Sequence, residues 1–383
     1  MIDRNALPLL AFARPTSPMT NDQSSTDHGP EATSFHGLTR DRLAQRLAAA
    51  GVPGYRAGQL FTWIYRRHES DLAAMTNLPL TLRQSLPGLV DLRLPRIVSH
   101  SASPGDDTHK FALELADGRR VECVSMRAER GLTFCLSSQV GCALRCPYCA
   151  TGLMGLERNL LAGEIVAQVL VMGDFHHWED EGFNLVLMGM GEPLANYAAV
   201  LEAIRILHDP QGLNVGARRI TVSTAGLVPQ IERLASENLA LGLALSLHAT
   251  TDELRDVLVP VNRRWPLAQL LPAVQAYGLR TGRRVSLEYT LLAGVNDSAE
   301  DADRLAAIAR DLPSKINLIP YNPVPGLPYR RPSPEAVQAF AERLYPRAPA
   351  VTVRQTQGGE IGAACGQLAG APGRAGPAET AAG

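Results

Sequence analysis

Short apolar runs alternate with runs of helical period from Leu132 to Gln355, and this alternation restricts the fold more than any other feature of the chain. The strand-like runs are LTFCLS (from Leu132), NLVLMGM (from Asn184), RRITVST (from Arg218), LALSLHA (from Leu243), VSLEYTLL (from Val285), INLIPYN (from Ile316) and VTVRQ (from Val351). Segments such as YAAVLEAIRILH and SAEDADRLAAIARDL lie between them. Parallel neighbours need a crossover connection, usually a helix, so repeated strand–helix units predict an α/β protein with a parallel sheet. Polar and glycine-rich motifs follow each strand, which is where the active sites of barrels lie. From the pattern alone an open doubly wound sheet also fits.

Upstream of this core the pattern changes. From Leu38 to about Leu86 it is helical, with Leu43, Leu47 and Ala50 recurring at spacings of three and four. A Gly-Val-Pro-Gly turn leads into AGQLFTWIYRRH, a second helical stretch. The segment carries Arg40, Arg42, Arg46, Arg56, Arg66 and Arg67 against Asp41, which suits either a solvated helix face or a small RNA-docking module. Between Leu92 and Met126 alternating runs flank Asp117-Gly118, a hairpin signal. The expected organisation is a disordered extension (1–34), a helical accessory domain that docks RNA (35–90), a β-hairpin linker segment (91–127), a core barrel ending in a cysteine loop (128–368) and a disordered tail (369–383).

Charge and targeting signals exclude several classes. Lys and Arg number 37 against 38 Asp and Glu, so no global positive field marks a nucleic-acid partner. Lys110 and Lys315 are the only lysines, a bias that reads first as genome composition. The opening MIDRNALPLLAFARP lacks the positive start and longer apolar core of a signal peptide. No stretch approaches the roughly 18 apolar residues of a membrane span. The expectation is a cytoplasmic protein, where clustered cysteines favour metals or catalysis over disulfides.

Three of the six cysteines, Cys142, Cys146 and Cys149, fall in GCALRCPYCATG (Gly141–Gly152) as C-x₃-C-x₂-C. Three thiolates on a [4Fe-4S] cluster leave one iron open to an exogenous chelator, which can then be reduced at close range. A structural zinc with a remote fourth ligand, or an unmetallated set of thiols, are the alternatives. The motif resembles the signature of the radical S-adenosylmethionine (SAM) enzymes, with a partial (β/α) barrel of that type as the implied fold. In that family the open iron takes the amino and carboxylate groups of SAM, and one electron cleaves SAM to a carbon radical. The resemblance extends to LMGMGEPLANY (Leu187–Tyr197), where it implies that Gly191 and Glu192 contact the SAM amino group. It extends also to TVSTAG with Ser223, ALSLHA with Ser246, Leu247 and His248, and NLIPYNP with Asn322, all implied SAM contacts.

EIGAACGQL (Glu360–Leu368) and LTFCLSSQVGC (Leu132–Cys142) resemble one subfamily, the dual-specificity adenine-C2 RNA methyltransferases. The match spans Leu38 to Leu368 and includes the basic helical module. It implies 23S ribosomal RNA and tRNA as partners, an external one-electron donor, and two SAM molecules per turnover. It also assigns Cys365 as the methyl-carrying thiol (an S-methylcysteine intermediate), Glu122 as the proton acceptor, and Cys135 as the resolving thiol that forms a transient disulfide with Cys365. Cys135 lies seven residues before Cys142, on what the sequence suggests is the same strand. Adenine C2 is electron-poor and cannot attack the methyl of SAM directly, which is why a carbon radical is required. Cys123 lies on the opposite face of the strand from Glu122 and reads as a core thiol. Arginine pairs at 218–219, 263–264, 283–284 and 330–331 suit phosphate contacts or a solvated surface. The rival readings are adenine-C8 methylation on the same architecture and a non-catalytic zinc-stabilised RNA-binding protein.

Overall fold

The computed structural model describes residues 34–128, 131–178 and 182–369. The expected disordered extension and tail therefore lie outside the described residues, except for Ser34, which bridges to Asp91, and Ala369, whose N–H donates to Glu122.

Ten strands form one sheet. β1 (Arg96–Ala102), β2 (Thr108–Glu114), β3 (Arg120–Ala128) and β4 (Gly131–Cys135) are successively antiparallel. Two short strands, β5 (Gln139–Gly141) and β6 (Leu156–Asn159), pair separately. Beyond β4 the sheet runs parallel through β7 (Asn184–Leu187), β8 (Ile220–Thr224), β9 (Gly242–Ser246), β10 (Val285–Leu291), β11 (Ser314–Pro320) and β12 (Val351–Val353). All seven strand-like runs of the core are strands. The parallel set does not close, because β12 pairs only with β11 and β4 is flanked by β3 and β7. It is a partial barrel.

Local chemistry explains the elements. Ser298 caps the helix Ala299–Arg310 through a reciprocal box with Asp301, and Ser333 with Pro334 starts the helix Pro334–Leu344. Strand β10 alternates Val285, Leu287, Tyr289 and Leu291 with Ser286, Glu288 and Thr290. The apolar set joins the core, and Glu288 and Thr290 line an interior cavity.

Three expectations are corrected. The segment 91–127 is no linker, because β1–β3 extend the main sheet and cover the β4 edge. Cys135 and Cys142 are not on one strand: β4 ends at Cys135, and Leu136–Ser138 bond to Val186 and Met190 before β5 starts a second sheet. In the helix Arg40–Ala49, Leu43 and Leu47 are buried, but Ala50 is its exposed C-cap.

The helical module packs Phe35, Phe61 and Tyr65 around its own core. Arg40 pairs with Asp209 at 3.0 Å and Arg42 with Glu202 at 2.6 Å, tying the module to the barrel helix Tyr197–His208 and its C-cap. Arg46 donates to the carbonyl of Leu89, and Arg56 to Gln59 and Asn77. Arg67 stacks over Trp63. Most of the arginines that made the module look like an RNA surface are engaged within the protein. Among the described residues no helix is long and apolar enough to cross a membrane.

Candidate active site

The C-terminal ends of the parallel strands surround one cavity. Its lining includes Cys142, Cys146, Cys149, Gly191, Glu192, Ser223, Ser246, His248 and Cys365, residues drawn from five separate parts of the chain.

The cysteine loop is held between the β5–β6 pair and the short helix Ala150–Met154. Cys142 N–H donates to Gly155 O at 2.8 Å, and Cys149 N–H to Cys146 O at 3.1 Å. Burial pushes the Cys142 thiol up to about 12 and raises Cys146 and Cys149 as well, so thiolates here need a cationic partner. The three thiols line one cavity, which suits a cluster whose separate irons each take one thiolate.

Gly191 and Glu192 lie on the turn after β7. Gly191 has φ +100°, and a Cβ there would lie 2.6 Å from Gln139 Cβ, so only glycine fits. Glu192 is buried. Its Oε1 accepts from Leu194 N–H at 3.0 Å and its Oε2 from Ala225 N–H at 2.8 Å, while Gln139 Oε1 accepts from Glu192 N–H. Burial outweighs these bonds and raises Glu192 to about 7.

The Ser223 and Ser246 hydroxyls are 3.4 Å apart. His248 has φ +55°, and Thr290 N–H donates to its Nδ1 at 3.0 Å. Burial lowers its pKa to about 3. The neutral ring thus carries its proton on Nε2. Leu247 is buried and donates its N–H to Glu288 O. Asn322 is not part of the cavity lining. Its Nδ2 lies 3.5 Å from Cys365 O, and its Oδ1 accepts from Thr356 and Arg331.

Cys365 is exposed, in the loop after β12. Ala150 N–H donates to Gly366 O at 2.8 Å, and Thr151 Oγ1 to Leu368 O at 2.5 Å, which lay that loop against the cysteine helix. Cys135 is buried at the end of β4, its thiol pushed up to about 12 by burial and by the Cys365 charge, against a smaller opposing pull from Arg354. Glu122, on β3, is only 6% exposed. Its Oε2 accepts from Ala369 N–H at 2.9 Å, so it faces the same loop. Cys123 is fully buried.

Sequence reasoning missed Arg255, which is 0% exposed. It donates to the carbonyls of Ala225 (2.6 Å), Leu247 (3.1 Å) and Ser246 (3.2 Å) and to Asn262 Oδ1 (2.8 Å). One guanidinium therefore ties the turn after β8 to the turn after β9. Ser137 was also missed. Its Oγ accepts from Met190 N–H and donates to Glu122 O.

Comparison with known proteins agrees with this geometry. The radical SAM superfamily model matches residues 136–306, and a model described as a ribosomal RNA large subunit methyltransferase N-terminal domain matches residues 33–91. A probable dual-specificity RNA methyltransferase RlmN of Symbiobacterium thermophilum is 50% identical over 87% of this chain and 90% of its own length. The dual-specificity RNA methyltransferase RlmN of Dinoroseobacter shibae is 44% identical over 94% and 96%. The crystal structure of a radical SAM methyltransferase from Sphaerobacter thermophilus superposes with a TM-score of 0.85 at 47% identity, covering 88% of this chain and all of that one. With a thiol-lined cavity in a partial barrel and relatives this similar along nearly the whole chain, the protein belongs to the RlmN family of radical SAM RNA methyltransferases.

Proposed function

We propose that this radical SAM RNA methyltransferase transfers a methyl group to C2 of adenine in 23S ribosomal RNA and in tRNA, with Cys365 as methyl carrier, Glu122 as proton acceptor and Cys135 as resolving thiol. The observation that carries this reading is that Cys365 lines the same cavity as Cys142, Cys146, Cys149 and Glu192. When bound, a [4Fe-4S] cluster and two SAM molecules per turnover supply the electron, the radical and the methyl group.

The chain's own residues divide the remaining work. Cys142, Cys146 and Cys149 would hold the cluster, Gly191 and Glu192 the ammonium group of SAM, and Ser223, Ser246, Leu247, His248 and Asn322 the rest of the cofactor. The Cys365 thiolate is a nucleophile that can accept a methyl group where adenine C2 cannot. Its exposure lets an unstacked base approach its sulfur. Glu122 takes the C2 proton, and the adduct gives up its unpaired electron to a one-electron acceptor, a role a bound [4Fe-4S] cluster would fill. The Cys135 thiolate then attacks Cys365 Sγ. The S–S bond forms, the S–CH₂ bond to the RNA breaks, and its electron pair stays on carbon, which is protonated to a methyl. An external donor supplies electrons, and a cytoplasmic setting keeps both thiols reducible for the next turnover.

The test is mass spectrometry of the peptide containing Cys365, from protein made with intact cluster assembly. An added methyl or methylene on that sulfur is expected. An unmodified Cys365 in a preparation that cleaves SAM would overturn the carrier role. Digestion of the product RNA to nucleosides separates 2-methyladenosine from the C8 isomer.

A pH dependence follows from Glu192. A carboxyl that keeps its proton up to about pH 7 must lose it to hold an ammonium group. SAM affinity is therefore expected in full above pH 7 and to fall by about tenfold per unit below it. Binding titrations across pH should show this slope, and Glu192→Gln should flatten it.

A further inference from the structure

Lys110 is one of two lysines in the chain, and it does not sit in solvent as a strand lysine ordinarily does. Its side chain is 19% exposed. It lies on β2, diagonal to Glu122 across the β2–β3 ladder, where Ala112 is paired with Glu122 and Lys110 with Val124. On that shared face its Nζ is 3.2 Å from Glu122 Oε1. The same Nζ is 3.4 Å from the carbonyl of Gly362, three residues before Cys365.

We propose that Lys110 is a positioning residue for C2 deprotonation: its ammonium fixes the Glu122 carboxylate relative to the loop that carries Cys365. The inference rests on the reading of Glu122 as proton acceptor. The Glu122 backbone is already pinned, its N–H by Met190 Sδ and its carbonyl by Ser137 Oγ. Only the side-chain torsions are left to set, and two contacts set them: Lys110 at Oε1 and Ala369 N–H at Oε2. The Ala369 bond comes from the loop segment itself. Lys110 is the one of the two anchored in a strand, so it transmits the position of the sheet to both the base and the loop. A charge-assisted bond to each partner gives it direction as well as strength. Proton transfer to carbon chemistry depends steeply on such placement.

The experiment compares Lys110→Met, Lys110→Arg and Glu122→Gln in cluster-loaded enzyme with RNA carrying either protium or deuterium at the target C2. Lys110→Met is expected to methylate Cys365 and bind RNA as wild type does, while turnover falls by about 10- to 100-fold. It should also show a primary isotope effect larger than that of wild type, since deprotonation has become slow. Lys110→Arg should recover part of the rate. Wild-type turnover and isotope effect in Lys110→Met, with Glu122→Gln inactive, would overturn the role of Lys110 and leave that of Glu122 standing. Undiminished turnover in Glu122→Gln would instead remove Glu122 as the base. If both Lys110→Met and Lys110→Arg fail to methylate Cys365, Lys110 serves the fold of the loop and the inference falls.

Discussion

Enzyme in which Cys135 is replaced by alanine is expected to remain covalently joined to its RNA. In the proposed mechanism, radical addition and loss of the C2 proton need only Cys365 and Glu122 on the protein side. Breaking the S–CH₂ bond then needs a second sulfur, and Cys135 is the thiol proposed for it, its own pKa raised by burial and then by the neighbouring Cys365. The nearby buried thiol, Cys123, is on the same strand as Glu122 but is fully enclosed. Turnover should fall to background, and a denaturing gel should show an RNA–protein band that Cys365→Ala abolishes. A Cys135→Ala enzyme that releases methylated RNA at the normal rate would remove Cys135 from the mechanism.

Loss of Arg255 is expected to have the largest effect on stability. Replacing it with methionine leaves the carbonyls of Ala225, Ser246 and Leu247 without their donor. It also strips the cationic partner from Asn262, which is bonded to Asp252 and Asp256. A buried acceptor left without its donor costs about 1–3 kcal/mol, and several are orphaned together here. The expected result is a large drop in the urea midpoint of the cluster-free protein, with weakened SAM binding in whatever remains folded. Arg255→Lys should recover little, because one ammonium cannot span carbonyls on two turns as a planar fork does. A midpoint within experimental error of wild type would show that the two turns hold their shape without the guanidinium.

The parts of this molecule that were legible in the sequence are those with a local signature. Each parallel strand announces itself as a short apolar run, and the cysteine spacing survives any uncertainty about neighbouring elements. The β5–β6 pair was not visible, since QVG and LERN are too short and too polar to show alternation. Without that pair, Cys135 and Cys142 read as one strand. Arg255 was equally hidden: an arginine four residues after a capping threonine reads as solvent-facing, and its partners are carbonyls, which leave no trace in the side-chain pattern. The arginines of the helical module are a local feature, but Asp209 and Glu202, which engage two of them, lie far along the chain. Lys110 stood out by rarity, yet only the strand register shows that it shares a face with Glu122.

The loop after β12 has a kinetic meaning. On the proposed mechanism one sulfur meets a methyl donor, then a base, then a second thiol. The described contacts that hold this loop are isolated bonds rather than a ladder, and Gly358, Gly362 and Gly366 all have positive φ. Isolated bonds can open one at a time, whereas moving a strand residue would break a row of bonds at once. On the proposed mechanism the sheet thus supplies a stationary frame, and the loop is the arm whose successive contacts order the reaction.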